Sequence, residues 1–114
     1  DIAGRQYSLY KEVDERMLLK SFKDSSFLIF LKHRPLIKRE SIGFFDLQLS
    51  GHTHKGQIFP FSILTKIYYP EDSGILRLLD NSYLYVSRGT GTWGPPVRVF
   101  APPEITVIEL VKSP

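Results

Sequence analysis

The sequence predicts an α/β (α+β) chain built on a mixed β-sheet, with an antiparallel hairpin and a flanking helix. Three observations predict it. Leu9, Val13 and Met17 recur at four-residue steps, the period of one helix face. Two apolar runs, residues 26–33 and 45–50, are separated by a crossover segment of the kind that sets strands parallel. Residues 75–79 and 83–87 flank Asp80-Asn81-Ser82, a turn composition that favours a hairpin.

Taken in order, Ile2-Ala3-Gly4 reads as a strand end and a turn. The helical pattern runs from Ser8 to Phe22, with Tyr10 and Leu18 widening the apolar stripe. Ser8 suits the N-cap, Glu12 and Asp14 suit the positive end of the helix dipole, and Lys20 and Lys23 suit its negative end. Residues 26–33 read as a strand buried on both faces, ended by Pro35. Leu36 to Ile42 is helical or irregular, and Gly43 leads into the strand 45–50. There Phe45, Leu47 and Leu49 share one face and Asp46, Gln48 and Ser50 the other. The proline-bracketed segment from Phe59-Pro60 to Tyr69-Pro70 reads as a short helix. After the hairpin come a glycine-rich loop (88–96) and two further strands, 97–100 and 104–111, so the second half reads as antiparallel β.

Composition bounds the chemistry. The 114 residues hold 42% apolar and 24% charged side chains, the balance of one globular domain. No cysteine is present, which excludes disulfides, thiolate zinc sites and a cysteine nucleophile. No apolar run reaches the roughly 20 residues that a helix needs to cross a bilayer. The net charge is +3. Lys32, Arg34, Lys38 and Arg39 cluster around His33 and read as a solvated loop or as a field that attracts anions or a membrane surface.

The three histidines are the chemically pointed residues. His33 ends the first apolar strand, and His52 and His54 follow the second in Ser50-Gly51-His52-Thr53-His54-Lys55-Gly56-Gln57. Neutral imidazole is the commonest protein ligand for transition metals, and residues i and i+2 of a regular strand share a face. In parallel sheets the ligand crevice lies beyond the carboxyl ends of the strands. All three imidazoles are therefore expected to enter one crevice. Ser50 and Thr53 are candidate partners that orient them.

Phe45-Asp46-Leu47-Gln48-Leu49-Ser50-Gly51-His52-Thr53-His54 closely resembles the last metal-binding motif of the calcineurin-like metallophosphoesterases. Ile29-Phe30-Leu31-Lys32-His33-Arg34-Pro35 is similar to the motif before it. Tyr85 to Arg98, followed by Pro103-Glu104-Ile105-Thr106, resembles the carboxy-terminal part of a branch of bacterial phosphohydrolases, several of them membrane-associated. The resemblance covers the chain from Phe27 onward. It implies half of a four-layer sandwich of two mixed sheets, and a hydrolase of phosphate mono- or diesters acting through two divalent metals (Mn, Zn or Fe). It implies that His33 and His52 bind one metal and His54 the other, in a bacterial cytoplasmic or inner-membrane-associated parent that acts on a phosphorylated substrate. Lys55 stands where relatives often have Gly, and is a candidate contact to substrate phosphate. Arg88 and Arg98 are further candidates beside the glycine-rich loop.

The family's other motifs, Asp-x-His, Gly-Asp and Gly-Asn-His, are absent from this sequence. The chain also opens on Asp1, with Met17 its single methionine. Residues 1–114 are thus expected to be the carboxy-terminal part of a phosphoesterase domain. The piece alone is expected to be inactive, to bind metal weakly and to oligomerise through exposed apolar edges; its natural partner would be the amino-terminal half of the same protein. A different class, a non-catalytic nucleic-acid or anion-binding module, would use Tyr68, Tyr69 and Trp93 with Lys66 and Arg77, but no recognition motif accompanies them. Trp93 reads better as a cap on the core.

Overall fold

The computed structural model describes residues 14–22 and 27–111. Its regular elements are α1 (Glu15–Lys20), β1 (Ile29–Leu31), β2 (Leu47–Ser50), α2 (Phe61–Tyr68), β3 (Gly74–Arg77) and β4 (Tyr83–Val86). The strands form one mixed sheet in the order β1-β2-β4-β3. β2 pairs parallel with both β1 and β4, while β3 closes the edge antiparallel to β4. The expected α/β class, mixed sheet, hairpin and flanking helix are all present.

Central position decides burial. β2 has neighbours on both sides, and Leu47, Gln48 and Ser50 are buried along it. Leu84 and Val86 of β4 complete the interior with Phe45, Leu19 and Ala101. Phe30 meets the Phe45 ring at 5.7 Å. β1 behaves differently from expectation: among the described residues it is a short edge strand rather than one buried on both faces, and Leu31 is 74% exposed. The core is small for a chain this apolar.

The hairpin closes as its residues dictate. Asp80 and Asn81 both take positive φ, 52° and 58°, the type I′ geometry that matches strand twist. Ser82 is fully buried beneath it. Its hydroxyl donates to the Phe45 carbonyl at 2.6 Å and accepts from the Gly43 N–H at 3.0 Å, tying the turn to the entry of β2.

Several expected elements differ. In α1 the N-cap is Asp14, whose side chain accepts from the Met17 N–H. Leu19 is its buried residue, while Met17 faces solvent. The helix therefore turns a neighbouring face inward. The strand end at Ile2-Ala3-Gly4 and the Ser8 cap lie outside the described residues. Residues 104–111 form no strand, and Val99 makes only an isolated bridge to Ile58. The second half is not antiparallel throughout, because β4 runs parallel to β2. No helix among the described residues is long and apolar enough to cross a membrane.

Ser82→Ala strands the Gly43 N–H and the Phe45 carbonyl without their shared partner. A loss of about 1–3 kcal/mol, the usual cost of unsatisfied buried groups, is expected in urea unfolding of the variant.

Candidate functional site

The parallel ladder continues past the last strand residues. Lys32 N–H donates to the Leu49 carbonyl and Gly51 N–H to the His33 carbonyl, each at 3.0 Å. This brings the chain after β1 beside the chain after β2. A cleft of about 440 Å³ opens there, lined by His33, Ser50, Gly51, Tyr85, Ser87 and Thr106 among others. It lies at the carboxyl ends of β1, β2 and β4, where parallel sheets place ligands.

At its edge two imidazoles meet. His33 Nε2 and His52 Nδ1 are 3.0 Å apart, with the rings edge-on at a centroid distance of 4.8 Å. Tyr69, just past α2, packs its ring edge-on to His52 at 5.7 Å. His54 does not join them. β2 ends at Ser50, so His52-Thr53-His54 is not a regular strand and its imidazoles do not share a face. His52 sits at φ 72°, Thr53 is right-handed, and His54 sits at φ 48°. The chain reverses between the two histidines, and His54 Nδ1 lies 3.3 Å from Arg98 Nη2 instead.

That reversal is costly. His52, His54, Lys55 and Gln57 all hold positive φ within six residues, at roughly 1–3 kcal/mol apiece for side-chain-bearing residues. Surrounding contacts hold the strain in place. Thr53 is buried and its hydroxyl donates to the Asp72 carbonyl at 2.7 Å. Gly56, at φ 73°, has no room for a side chain: an added Cβ would lie 2.2 Å from Ser62 Cα at the start of α2. Gln57 is buried and donates from Nε2 to the carbonyls of Trp93 (2.7 Å) and Pro95 (3.0 Å), and its Oε1 accepts from the Trp93 N–H.

The glycine-rich loop is gathered by Arg98. Its guanidinium donates to the carbonyls of Arg88 (3.0 Å), Gly89 (3.1 Å) and Ala101 (3.0 Å) and also to that of Gly91. Arg88 is ion-paired to Glu104 at 3.3 Å. Both arginines are thus engaged within the chain, and an incoming anion would have to compete with these contacts. Lys55 makes no ion pair among the described residues, and its backbone N–H reaches Thr53 Oγ1 at 3.4 Å. Trp93 does not cap the core, being 79% exposed. Ser50 and Thr53 bond Gln48 and Asp72 rather than the imidazoles.

Electrostatics disfavour the protonated form of His52 and His54. Burial lowers the pKa of His52, and His33 and Arg34 lower it further. Burial and then Arg98 lower that of His54. Neutral rings expose the nitrogen lone pair that a metal requires.

Sequence comparison gives these features a family. An uncharacterized metallophosphoesterase of Aquifex aeolicus is 39% identical over 112 residues, covering 96% of this chain and 42% of that protein. One from Campylobacter jejuni is 42% identical over 111 residues, covering 96% of this chain and 29% of its own length. The chain belongs with the metallophosphoesterases. A zebrafish relative, named a transmembrane protein with metallophosphoesterase domain, is 38% identical over 75% of this chain and 20% of its own. This metallophosphoesterase chain thus spans between about a fifth and two fifths of the length of these relatives. No protein-family model and no solved structure matches it.

The metallophosphoesterase family implies divalent metal, and the donor set can be tested against that. Two nitrogens each about 2.0–2.1 Å from one metal sit about 2.8–3.4 Å apart for bond angles between right-angled and tetrahedral. The His33–His52 spacing of 3.0 Å fits. Among the described residues no group of three or more His, Cys, Asp or Glu is placed to hold a metal. The pair fits as the nitrogen side of a centre and needs oxygen donors from elsewhere.

Two structural supports escape sequence reasoning. Gln57 offers only its adjacency to Gly56 as a signal. The Tyr85-Glu104-Thr106 cluster joins β4 to the tail: Tyr85 O–H bonds Glu104 and Thr106, and Thr106 Oγ1 donates to Glu104 at 3.0 Å. No motif spacing announces it. The Tyr85 hydrogen bond leads the contacts that lower the Glu104 pKa, with Arg88 adding to them. Stabilisation from this carboxylate is therefore complete above the ordinary carboxylate range and is lost as pH falls through the lowered value. Acid unfolding followed by fluorescence is expected to fall less steeply below that range in Glu104→Gln than in the unaltered protein. For the turn, Gly56→Ala is expected to displace α2 and remove the Tyr69–His52 ring contact, read as shifted His52 ring signals in NMR.

Proposed function

We propose that this chain supplies the imidazole side of the metal centre of a phosphoester hydrolase, as the carboxy-terminal part of its domain. The observation that carries the reading is the convergence of His33 Nε2 and His52 Nδ1 at 3.0 Å, inside a backbone held in strained conformations beside a cleft. His33 and His52 would share one divalent cation, and His54 would reach a second. The carboxylate donors would come from the remainder of the same protein. Divalent cations supply Lewis acidity there, acidifying water and neutralising phosphoryl charge.

The chain's own residues do the positioning. The Gly51–His33 hydrogen bond and the Tyr69 ring fix the pair. Arg98 holds His54 against the glycine-rich loop and serves as a positioning residue. Lys55, which makes no ion pair among the described residues, would be a cation available to meet a phosphoryl oxygen, and the substrate class is a phosphate mono- or diester. The zebrafish and cattle relatives are named transmembrane proteins with metallophosphoesterase domain, which supports placing the parent's activity at or near a membrane.

The test uses the full-length protein with 4-nitrophenyl phosphate and bis(4-nitrophenyl) phosphate. Hydrolysis of one of them that is abolished by chelator and restored by Mn²⁺ or Zn²⁺ is expected. His33→Ala and His52→Ala should each lower kcat/KM at least 100-fold. Arg98→Lys should lower it less while weakening metal affinity. Chelator-resistant hydrolysis, or full activity in both histidine variants, would overturn the reading.

A further inference from the structure

Lys32 stands between β1 and His33, and its neighbours Arg34, Lys38 and Arg39 suggest a cation facing water. The structure turns it inward. Its side chain is 18% exposed, and that of Glu15, the first residue of α1, is 15% exposed. Lys32 Nζ lies 2.6 Å from Glu15 Oε1 and donates to the Leu36 carbonyl at 2.7 Å. Two of the three ammonium N–H groups are thereby committed within the chain. A pair this far out of water offsets its Coulomb attraction with the cost of desolvation. What it brings is geometry more than stability.

The contacts enclose one short segment. The chain bends at His33 and Arg34, Pro35 is buried after them, and the ammonium spans the bend from residue 32 to residue 36. α1 offers a fixed acceptor, because Asp14 caps its first turn and Leu19 anchors it in the core. His33 itself is exposed, with the edge of the His52 ring beside it. The direction of its imidazole is therefore set by the backbone that carries it. Gly51 N–H holds that backbone from the β2 side, at the His33 carbonyl. The Lys32 ammonium holds it from the other. Lys32 also lines the cleft, where a lysine could meet substrate phosphate. The Glu15 carboxylate opposes that role, since an anion arriving at Nζ would be repelled by a charge already in contact with it.

We infer that Lys32 is a positioning residue: with Glu15 and the Leu36 carbonyl it clasps the bend that carries His33, and so sets the spacing of His33 Nε2 from His52 Nδ1. The inference rests on the reading of that pair as metal donors.

The experiment titrates the full-length protein, stripped of metal, with Zn²⁺ in competition with a chelating dye. Lys32→Met and Glu15→Gln should each weaken Zn²⁺ binding about tenfold, as loss of a group that orients a metal ligand does. Lys32→Arg, which keeps a charged donor, should recover part of that loss. In the metal-free protein the first two variants should also shift the His33 ring signals in NMR. KM for 4-nitrophenyl phosphate at saturating metal should stay unchanged. Glu15→Gln keeps the shape of its side chain and carries the test if Lys32→Met does not fold. Ser82→Ala, which weakens the fold at the hairpin, should bind Zn²⁺ normally; an equal loss there reduces the effect to general stability and overturns the clasp. A raised KM in Lys32→Met with Zn²⁺ affinity intact, the mark of a direct phosphate contact, overturns it too. His33→Ala separates the two readings. If it weakens Zn²⁺ binding while Lys32→Met and Glu15→Gln do not, the clasp alone fails. If it binds Zn²⁺ as the unaltered protein does, the metal reading fails and the clasp with it.

Discussion

The parallel register of β1 and β2, carried beyond the strands by the hydrogen bond from Gly51 N–H to the His33 carbonyl, fixes where two imidazoles can meet. Strand side chains alternate with a period of two, so a slip of one residue would turn every side chain of β1 to the opposite face. The register is specified from the β2 side, since β2 is clamped between β1 and β4 and buried along most of its length. β1, short and exposed, takes its position from that neighbour. The geometry of His33 is thus inherited from residues nearly twenty positions downstream.

The second constraint is the left-handed turn after β2. A relaxed continuation would carry His52 and His54 along a strand face, as their spacing suggests. The observed turn separates them, sending one ring to His33 and the other to Arg98. Such a conformation persists only where its surroundings over-determine it. Gly56 against Ser62, Thr53 on Asp72 and Gln57 on Trp93 and Pro95 do so here. The loop in turn depends on Arg98. The site is one mechanical unit assembled from β2, α2 and the glycine-rich loop.

Much of this was legible in the sequence, for identifiable reasons. Turn chemistry at Asp80-Asn81 and the alternation at 45–50 are local signals, and local structure obeyed them. His33 and His52 could be paired because a crossover between two apolar runs implies parallel strands. What failed depended on distant contacts. Residues 104–111 have strand composition but no neighbouring strand among the described residues. The run 26–33 is apolar enough for the middle of a sheet, yet its strand, Ile29–Leu31, lies at the edge among the described residues. Arg98 looked like an anion ligand because guanidinium suits phosphate; nothing local shows that loop carbonyls already occupy it.

The most direct measurement is a Zn²⁺ titration of the full-length protein followed by imidazole ¹⁵N chemical shifts. If the histidine pair is the nitrogen side of one centre, His33 Nε2 and His52 Nδ1 move together to ligated values at the same metal equivalent. Movement of His52 without His33, or of neither, would contradict the assignment.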